Sequence, residues 1–508
     1  MRVALVQAPV FDPNTPSNAL ALLSAHLKRH GHEPRVHDAS KDLSDAFARR
    51  LGADFRDARA FFPLPERHPD ATERALDASA DAILAGEPSV IGLSVLARTE
   101  TYSLRLADKL KAKAPSCRVV FGGAQCLREN MAFEFARHPS VDAVALGEAD
   151  LSFPAFLNAM TPGDAALPAT PGMLVKRGEA VLDGGEPEAV AELDGLPYLD
   201  FSGFDLSRYD GDSLFLSTTR GCVRKCSFCT HIVGQKVYRT MSARRTVAEI
   251  RHQLGLYPRR NTVEFTDSLI NGNVRRLGEM SDMLVDYRLE RVAKNRGGNW
   301  DFGWTGMAII HPTMTPALLR RMRHAGCVQL RYGFESASQR VLDSMQKKVD
   351  MRDAEAVIRD THRAGIGVFL YTLVGFPTEH EEDFRMTLDF IERNAAYIDT
   401  VGTSACEVQK GSHLDAHPEL YGLKLPLEDR LRWETADGAN TYEVRQERME
   451  RMNRLIDRLS LRVQEFPTRL GVTLKAPEPE YDFYRPASAR ARASRPPAGR
   501  SAGSPASR

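Results

Sequence analysis

The sequence predicts an α/β protein of two units: a doubly wound Rossmann-like domain, then a partial (β/α) barrel of TIM type, followed by a helical segment and a disordered tail. Three observations carry this. Short apolar runs alternate with helical periodicities over residues 1–160 and again over 206–415, the pattern of parallel βαβ units. The stretch between them, 161–205, is rich in Pro, Gly and Asp and reads as a connector. Beyond residue 475 the composition collapses to Pro, Ala, Ser, Gly and Arg.

In the first unit, residues 3–7, 90–95, 118–121 and 141–146 are mainly apolar runs of strand length, and 34–37 is an extended run. Leu20, Leu22, Leu23 and Leu27 mark a helix over 18–30, and 104–113 is a second. A doubly wound sheet places its ligand beyond the carboxyl ends of the strands. In the connector, 173–183 reads as a hairpin turning at Gly178. The second unit opens with a strand at 214–217. Further strands are expected at 263–266, 304–310, 329–334 and 368–374, with a sixth ending near Cys406. A barrel presents its chemistry at the same strand ends. Segment 416–475 is expected to be helical, with its charge concentrated in 443–462. The tail, 476–508, has six arginines and no acidic residue after Asp482. No solenoid repeat is evident.

Composition excludes several classes. Lys plus Arg is 68 and Asp plus Glu is 67, so the net charge of +1 argues against nucleic acid as an obvious partner without excluding a local basic patch. The longest uncharged apolar stretch, 366–376, is far short of the roughly 18 residues of a membrane span. The first residues read as a strand stopped by Pro9 and Asp12, not as a secretory signal, so a cytoplasmic protein is expected. Seven unevenly spread cysteines do not form a disulfide framework.

Three of those cysteines are crowded together. Cys222, Cys226 and Cys229 have the spacing C-x3-C-x2-C just after a predicted strand. Three thiolates this close can hold one inorganic centre. Zinc sites usually close four ligands, often from two separate CxxC knuckles, and no second such pair exists here. An iron–sulfur cubane held by three cysteines keeps one iron open for a substrate or cofactor. Zinc and a metal-free thiol group are the alternatives.

The motif, with Phe228 just before the last cysteine, resembles that of the radical S-adenosylmethionine (SAM) enzymes. Asp267 and Ser268, after the second barrel strand, occupy the place of the family's Gly-Gly-Glu-like segment, although the Glu is absent. Glu335 and Ser336 end the fourth strand and resemble its ribose-binding segment, and residues 337–347 match its usual continuation. Gly375, within 373–379, resembles the segment beside the adenine. The resemblance implies a 4Fe-4S cluster on Cys222, Cys226 and Cys229. It implies SAM on the open iron, contacted by Phe228, Asp267, Ser268, Glu335, Ser336 and Gly375.

The first unit resembles the cobalamin-binding domain of one branch of that family. The resemblance rests on Ser94 and Leu96 after the third strand, Gly122 and Gly123 after the fourth, and Gly147 and Glu148 after the fifth. No Asp-x-His-x-x-Gly is present, which leaves the lower cobalt face to another group or to water. The implied function is a cobalamin-dependent methyltransferase acting on an unactivated carbon of a small-molecule biosynthetic intermediate. One SAM supplies methyl to cobalamin and another gives the 5′-deoxyadenosyl radical. The alternative is a radical SAM cyclase, dehydratase, epimerase or rearrangement enzyme in which cobalamin transfers no methyl. The resemblance also implies a one-electron donor such as flavodoxin or ferredoxin, and neither nucleic acid nor membrane as partner. tRNA methylthiolation would ask for further front-domain cysteines, and Cys117 and Cys126 are too few.

No catalytic side chain is assigned. Cys327 is expected in the core. Cys406, at the barrel mouth, is either packed or a hydrogen donor to a substrate radical. Trp300, Trp304 and Trp433 are expected as core or interface residues, with Trp433 in the segment that covers the barrel opening.

Overall fold

The structure is a computed structural model that describes residues 1–463 apart from 53–54, 56–57, 162–165, 210–212, 295–301 and 428. Trp300 and the tail lie outside the described residues. In the front unit, β1 (Arg2–Gln7), β2 (Glu33–Asp38), β3 (Val90–Ser94), β4 (Arg118–Gly122) and β5 (Ala143–Ala145) are parallel, in the order β2-β1-β3-β4-β5. The order reverses between β1 and β3, and the carboxyl ends there form the ligand crevice of a doubly wound sheet. Val3, Leu5, Val90 and Val120 pack on one face, and Ala4, Val6, Ile91 and Leu93 on the other. A parallel sheet covered on both faces reads as continuous apolar runs, which is why these strands were visible in the sequence.

Ser17 caps the helix Asn18–Arg29 by accepting from the Leu20 N–H. Residues 39–84, given no element by periodicity, hold two further long helices, Ala39–Leu51 and Pro69–Leu84. The hairpin of the connector is β6 (Met173–Arg177) and β7 (Ala180–Asp183). It pairs antiparallel with β5 and extends the first sheet to seven strands. The front unit therefore runs to about Asp183, not to 160.

The second sheet holds β8 (Ser213–Leu216), β11 (Thr262–Phe265), β12 (Gly303–Ala308), β13 (Cys327–Glu335), β14 (Gly367–Val374), β15 (Thr400–Ala405) and β16 (Arg462–Val463). They are parallel and neighbours in that order, with β8 and β16 as open edges, so the barrel is partial. A small hairpin, β9 (Thr219–Arg220) with β10 (Arg239–Thr240), stands above β8. Strand alternation sends Val263, Phe265, Leu330 and Tyr332 into the apolar core. The alternate residues Glu264 and Arg331 form an ion pair at 2.6 Å.

Among its described residues the charged C-terminal segment holds a short 3-10 turn at Pro418–Tyr421 and one long α-helix, Tyr442–Arg458, where Thr441 caps the first turn. The residues before it contain Pro426 and Gly438, which favour turns, and β16 follows it. No helix among the described residues is long and apolar enough to cross a membrane.

Candidate functional site

The carboxyl ends of the two sheets face one cavity of about 560 Å³. Its front wall includes Ser94, Leu96, Gly122, Gly123, Gly147 and Glu148. Its barrel wall includes Ser217, Thr219, Arg220, Thr230, His231 and Ser268. All six residues expected at cobalamin thus share one wall. The two glycines differ in cause. Gly123 has φ +103°, and a Cβ there would lie 2.7 Å from the Val95 carbonyl oxygen, so the backbone requires glycine. A Cβ at Gly122 would meet only Ala145, at 3.7 Å; its missing side chain leaves room in the cavity.

The cysteine loop is fixed from three directions. Gly221 turns the chain at φ +78°, where a Cβ would lie 2.6 Å from the Val237 carbonyl oxygen. The Asp267 carboxylate accepts from the Thr218 and Thr219 N–H groups (2.6 and 2.8 Å) and from the Thr218 hydroxyl (2.7 Å). The Ser227 N–H donates to the Met345 carbonyl at 2.9 Å, docking the loop on the C-terminal end of the helix Gln339–Ser344. Arg220, two residues before Cys222, reaches Glu148 and Asp150 of the front unit, and Arg239 of β10 also bonds to Glu148.

Cys222, Cys226 and Cys229 are all free thiols. Burial pushes the Cys226 thiol up to about 11, Lys347 opposes this, and the thiols of Cys229 and Cys222 add to the rise. Burial also raises Cys229, with the His231 N–H working against it. Thiols raised this way, as at Cys226 and Cys229, become thiolate when positive charge is supplied, as a metal centre does. Among the described residues no three His, Cys, Asp or Glu side chains converge on a position for one ion. A cubane makes no such demand, because each thiolate takes its own iron. Three thiols in one loop are the ligand set of a cubane that keeps one iron open.

Several expected SAM contacts have other work. Asp267 is buried and fully engaged by Thr218 and Thr219, so it braces the loop and does not line the cavity; Ser268 does. Ser336 is buried, near the Thr387 hydroxyl (3.3 Å), and accepts from the Ser338 N–H. Glu335 accepts from the Lys347 ammonium at 2.6 Å. Gly375, at φ +74°, donates its N–H to Glu379 and lies under the Arg445 side chain. Glu335, Ser336 and Gly375 are absent from the cavity wall. Phe228 is half-buried against the main core.

Cys406 is buried away from the cavity, and burial raises its thiol pKa far above the ordinary value. Its carbonyl accepts the Trp433 indole N–H at 3.0 Å, and Trp433 stacks on Arg445. Both residues are buried and packed. Cys327 and Trp304 are core. Sequence reasoning passed over Arg220, His231 and Lys347. Each had a positional signal: two residues before the first cysteine, two after the last, and the end of segment 337–347. His231 Nδ1 lies 3.2 Å from the Ser268 hydroxyl on the cavity wall.

Residues 216–391 match the Radical SAM superfamily. The paired sheets of the chain have the fold of cobalamin-dependent members of that superfamily. An uncharacterized methyltransferase of Pyrococcus horikoshii, PH0819, is 22% identical over 314 residues, 60% of this chain and 64% of the relative. The chain thus spans under two thirds of that relative. The radical SAM methyltransferase TsrM from Kitasatospora setae, solved with cobalamin and a 4Fe-4S cluster, superposes with TM-score 0.61 at 16% identity. That match covers 82% of this chain and 74% of TsrM. The cobalamin-dependent enzyme OxsB, solved with aqua-cobalamin and SAM, gives 0.59 at 16% identity, covering 82% and 55%. At these identities the likeness establishes the fold.

Proposed function

We propose that the protein is a cobalamin-dependent radical SAM methyltransferase that methylates an unactivated carbon of a small-molecule intermediate. One observation carries this reading. The loops after β3, β4 and β5 and the flanks of the cysteine loop line opposite walls of a single cavity. When bound, the cluster and SAM supply a 5′-deoxyadenosyl radical, and cobalamin carries the methyl group. Cys222, Cys226 and Cys229 would hold the cluster, and Gly122 and Gly123 would let a flat, bulky cofactor approach the backbone. Ser268 and His231 are polar groups on the barrel wall suited to orient SAM. Phe228, Glu335 and Gly375 would act around it by shaping the barrel end. Enclosure between the two walls would keep a substrate radical away from stray hydrogen-atom donors and oxygen. The electron would come from a flavodoxin- or ferredoxin-type donor.

The test is anaerobic purification from cells supplied with cobalamin, followed by iron, sulfide and cobalt analysis. About four irons and about one cobalt per chain are expected. Four irons without cobalt, even after reconstitution with cobalamin, would favour a radical cyclase, dehydratase, epimerase or rearrangement enzyme. Zinc in place of iron would overturn the reading.

A further inference from the structure

Lys347, just after the helix Gln339–Ser344, is a buried cation packed against Phe228 of the cysteine loop. Its ammonium lies 2.6 Å from Glu335 Oε1 and 5.8 Å from the centroid of the Phe228 ring. Its charge acts on the thiols of both Cys226 and Cys229. The pair is built in at some cost. Glu335, Gln346 and Lys348 adopt φ of +65°, +55° and +54°, three of the five non-glycine residues with positive φ among the described residues. Such strain persists where the surroundings demand it, and it gathers at functional sites. Gly333 supplies the space: a Cβ there would lie 2.6 Å from Lys347 Nζ and 3.0 Å from Glu335 Oε1. The same turn takes the Ser227 N–H on the Met345 carbonyl, so the element that carries the cation also seats the loop that carries the thiols.

We propose that Lys347 is a positioning residue of the cluster site whose buried ammonium, clamped by Glu335, sets the reduction potential of the cluster on Cys222, Cys226 and Cys229. This rests on the cluster assignment made above. A cubane with thiolate ligands is anionic and gains one more negative charge on reduction. A fixed cation beside it stabilises the reduced form, and a fixed anion opposes it. The single electron comes from the external one-electron donor. Lys347 keeps its proton throughout and forms no bond to the cluster. The Glu335 carboxylate, 2.6 Å away, holds it as an ammonium. The pairing also explains why Glu335 is held at this distance: it pins the cation in place while offsetting part of its charge.

The experiment is a potentiometric titration of the reconstituted full-length protein, followed by electron paramagnetic resonance of the reduced cluster. SAM is left out so that its carboxylate contributes nothing. Iron and sulfide are measured on each sample. At a fixed potential, K347M is expected to shift the reduced-to-oxidised ratio at least tenfold toward oxidised, about 59 mV for a one-electron couple. K347R keeps the charge and is expected within threefold of the wild type. E335Q removes the anion and is expected to shift the ratio the other way. Equal potentials in the wild type and in assembled K347M would overturn the proposal. So would a K347R shift as large as that of K347M. If K347M assembles no cluster, E335Q decides alone: a shift toward reduced supports the proposal, and no shift overturns it. A wild type without iron would instead reject the cluster assignment itself.

Discussion

Arg220 and Asp150 share two hydrogen bonds, of 2.6 and 2.8 Å, across the boundary between the two sheets. The same guanidinium reaches Glu148 at 2.8 Å, and all three side chains are nearly excluded from solvent. Glu148 belongs to the loop after β5, and Arg220 stands two residues before Cys222. The two walls of the cavity are therefore tied to each other by charge. A cofactor on one wall and a cluster on the other would keep a fixed separation.

Replacing Arg220 by Met is expected to leave the buried Asp150 without its guanidinium, while Glu148 keeps Arg239. Breaking one side of such a network costs about 3–5 kcal/mol, which urea denaturation would measure. Burial raises the pKa of Asp150, but Arg220 outweighs it and the net shift is downward. A depressed folded pKa contributes stability above the unfolded value of about 3.9, and that stability is lost as pH falls through the folded value. The gap between wild type and R220M should therefore be full near neutrality and shrink below about pH 3.9. R220K, which keeps charge without the planar fork, should fall between them.

Gly122 and Gly123 are expected to fail in different ways when changed to Ala. G123A drives a methyl into the Val95 carbonyl at a positive φ. It should lose about 1–3 kcal/mol of stability or more, visible as a lower thermal midpoint. G122A meets only ordinary contact at Ala145 and should keep the wild-type midpoint. Its methyl narrows the cavity, so cobalt retained per chain after gel filtration should drop. A stable G122A with full cobalt would remove Gly122 from the proposed cofactor wall.

The strand ends were legible because a parallel strand buried on both faces is a short continuous apolar run. Ser94 and Gly122 close two such runs, so their place on one wall followed from sheet topology alone. The helices Ala39–Leu51 and Pro69–Leu84 were not legible. Their buried Leu43, Phe47, Leu76 and Ile83 are sparse among Asp, Ser, Arg and Ala. Asp267 shows a different limit. Its spacing from the cysteines was readable, but its hydrogen-bond partners lie 48 and 49 residues away, where only folding brings them. Lys347 and Glu335 are 12 residues apart and meet because the chain turns back after β13. A local pattern shows which groups are available; long-range contacts decide which are already occupied.

Glu379 is expected to impose a pH dependence on stability. It is buried, accepts the Gly375 N–H at 2.7 Å and lies 3.1 Å from Arg448. Burial pushes its carboxyl up to about 7 against both of those contacts. A raised folded pKa means that the folded protein binds the proton more tightly than the unfolded chain does. Stability then falls as pH rises from the unfolded value of about 4.3 toward 7. E379Q carries no titrating proton at this place and should flatten the denaturation midpoint across that window. An identical slope in wild type and E379Q would show that another group sets it.

Asp267 and Ser268 allow a direct test of which residue faces SAM. Asp267 holds the Thr218 and Thr219 N–H groups, and Arg276 joins the network through the Thr218 hydroxyl at 2.8 Å. D267N turns one acceptor oxygen into a donor facing donors. It should cost about 1–3 kcal/mol and lower the iron content, because those backbone groups underlie the cysteine loop. S268A removes one hydroxyl from the cavity wall. It should stay within about 0.5 kcal/mol of wild-type stability while weakening SAM binding by about tenfold, the worth of one hydrogen bond. Both are read by urea denaturation and by equilibrium dialysis with SAM on the reconstituted protein. Wild-type SAM affinity in S268A, together with lost affinity in a stable, iron-replete D267N, would return the contact to Asp267.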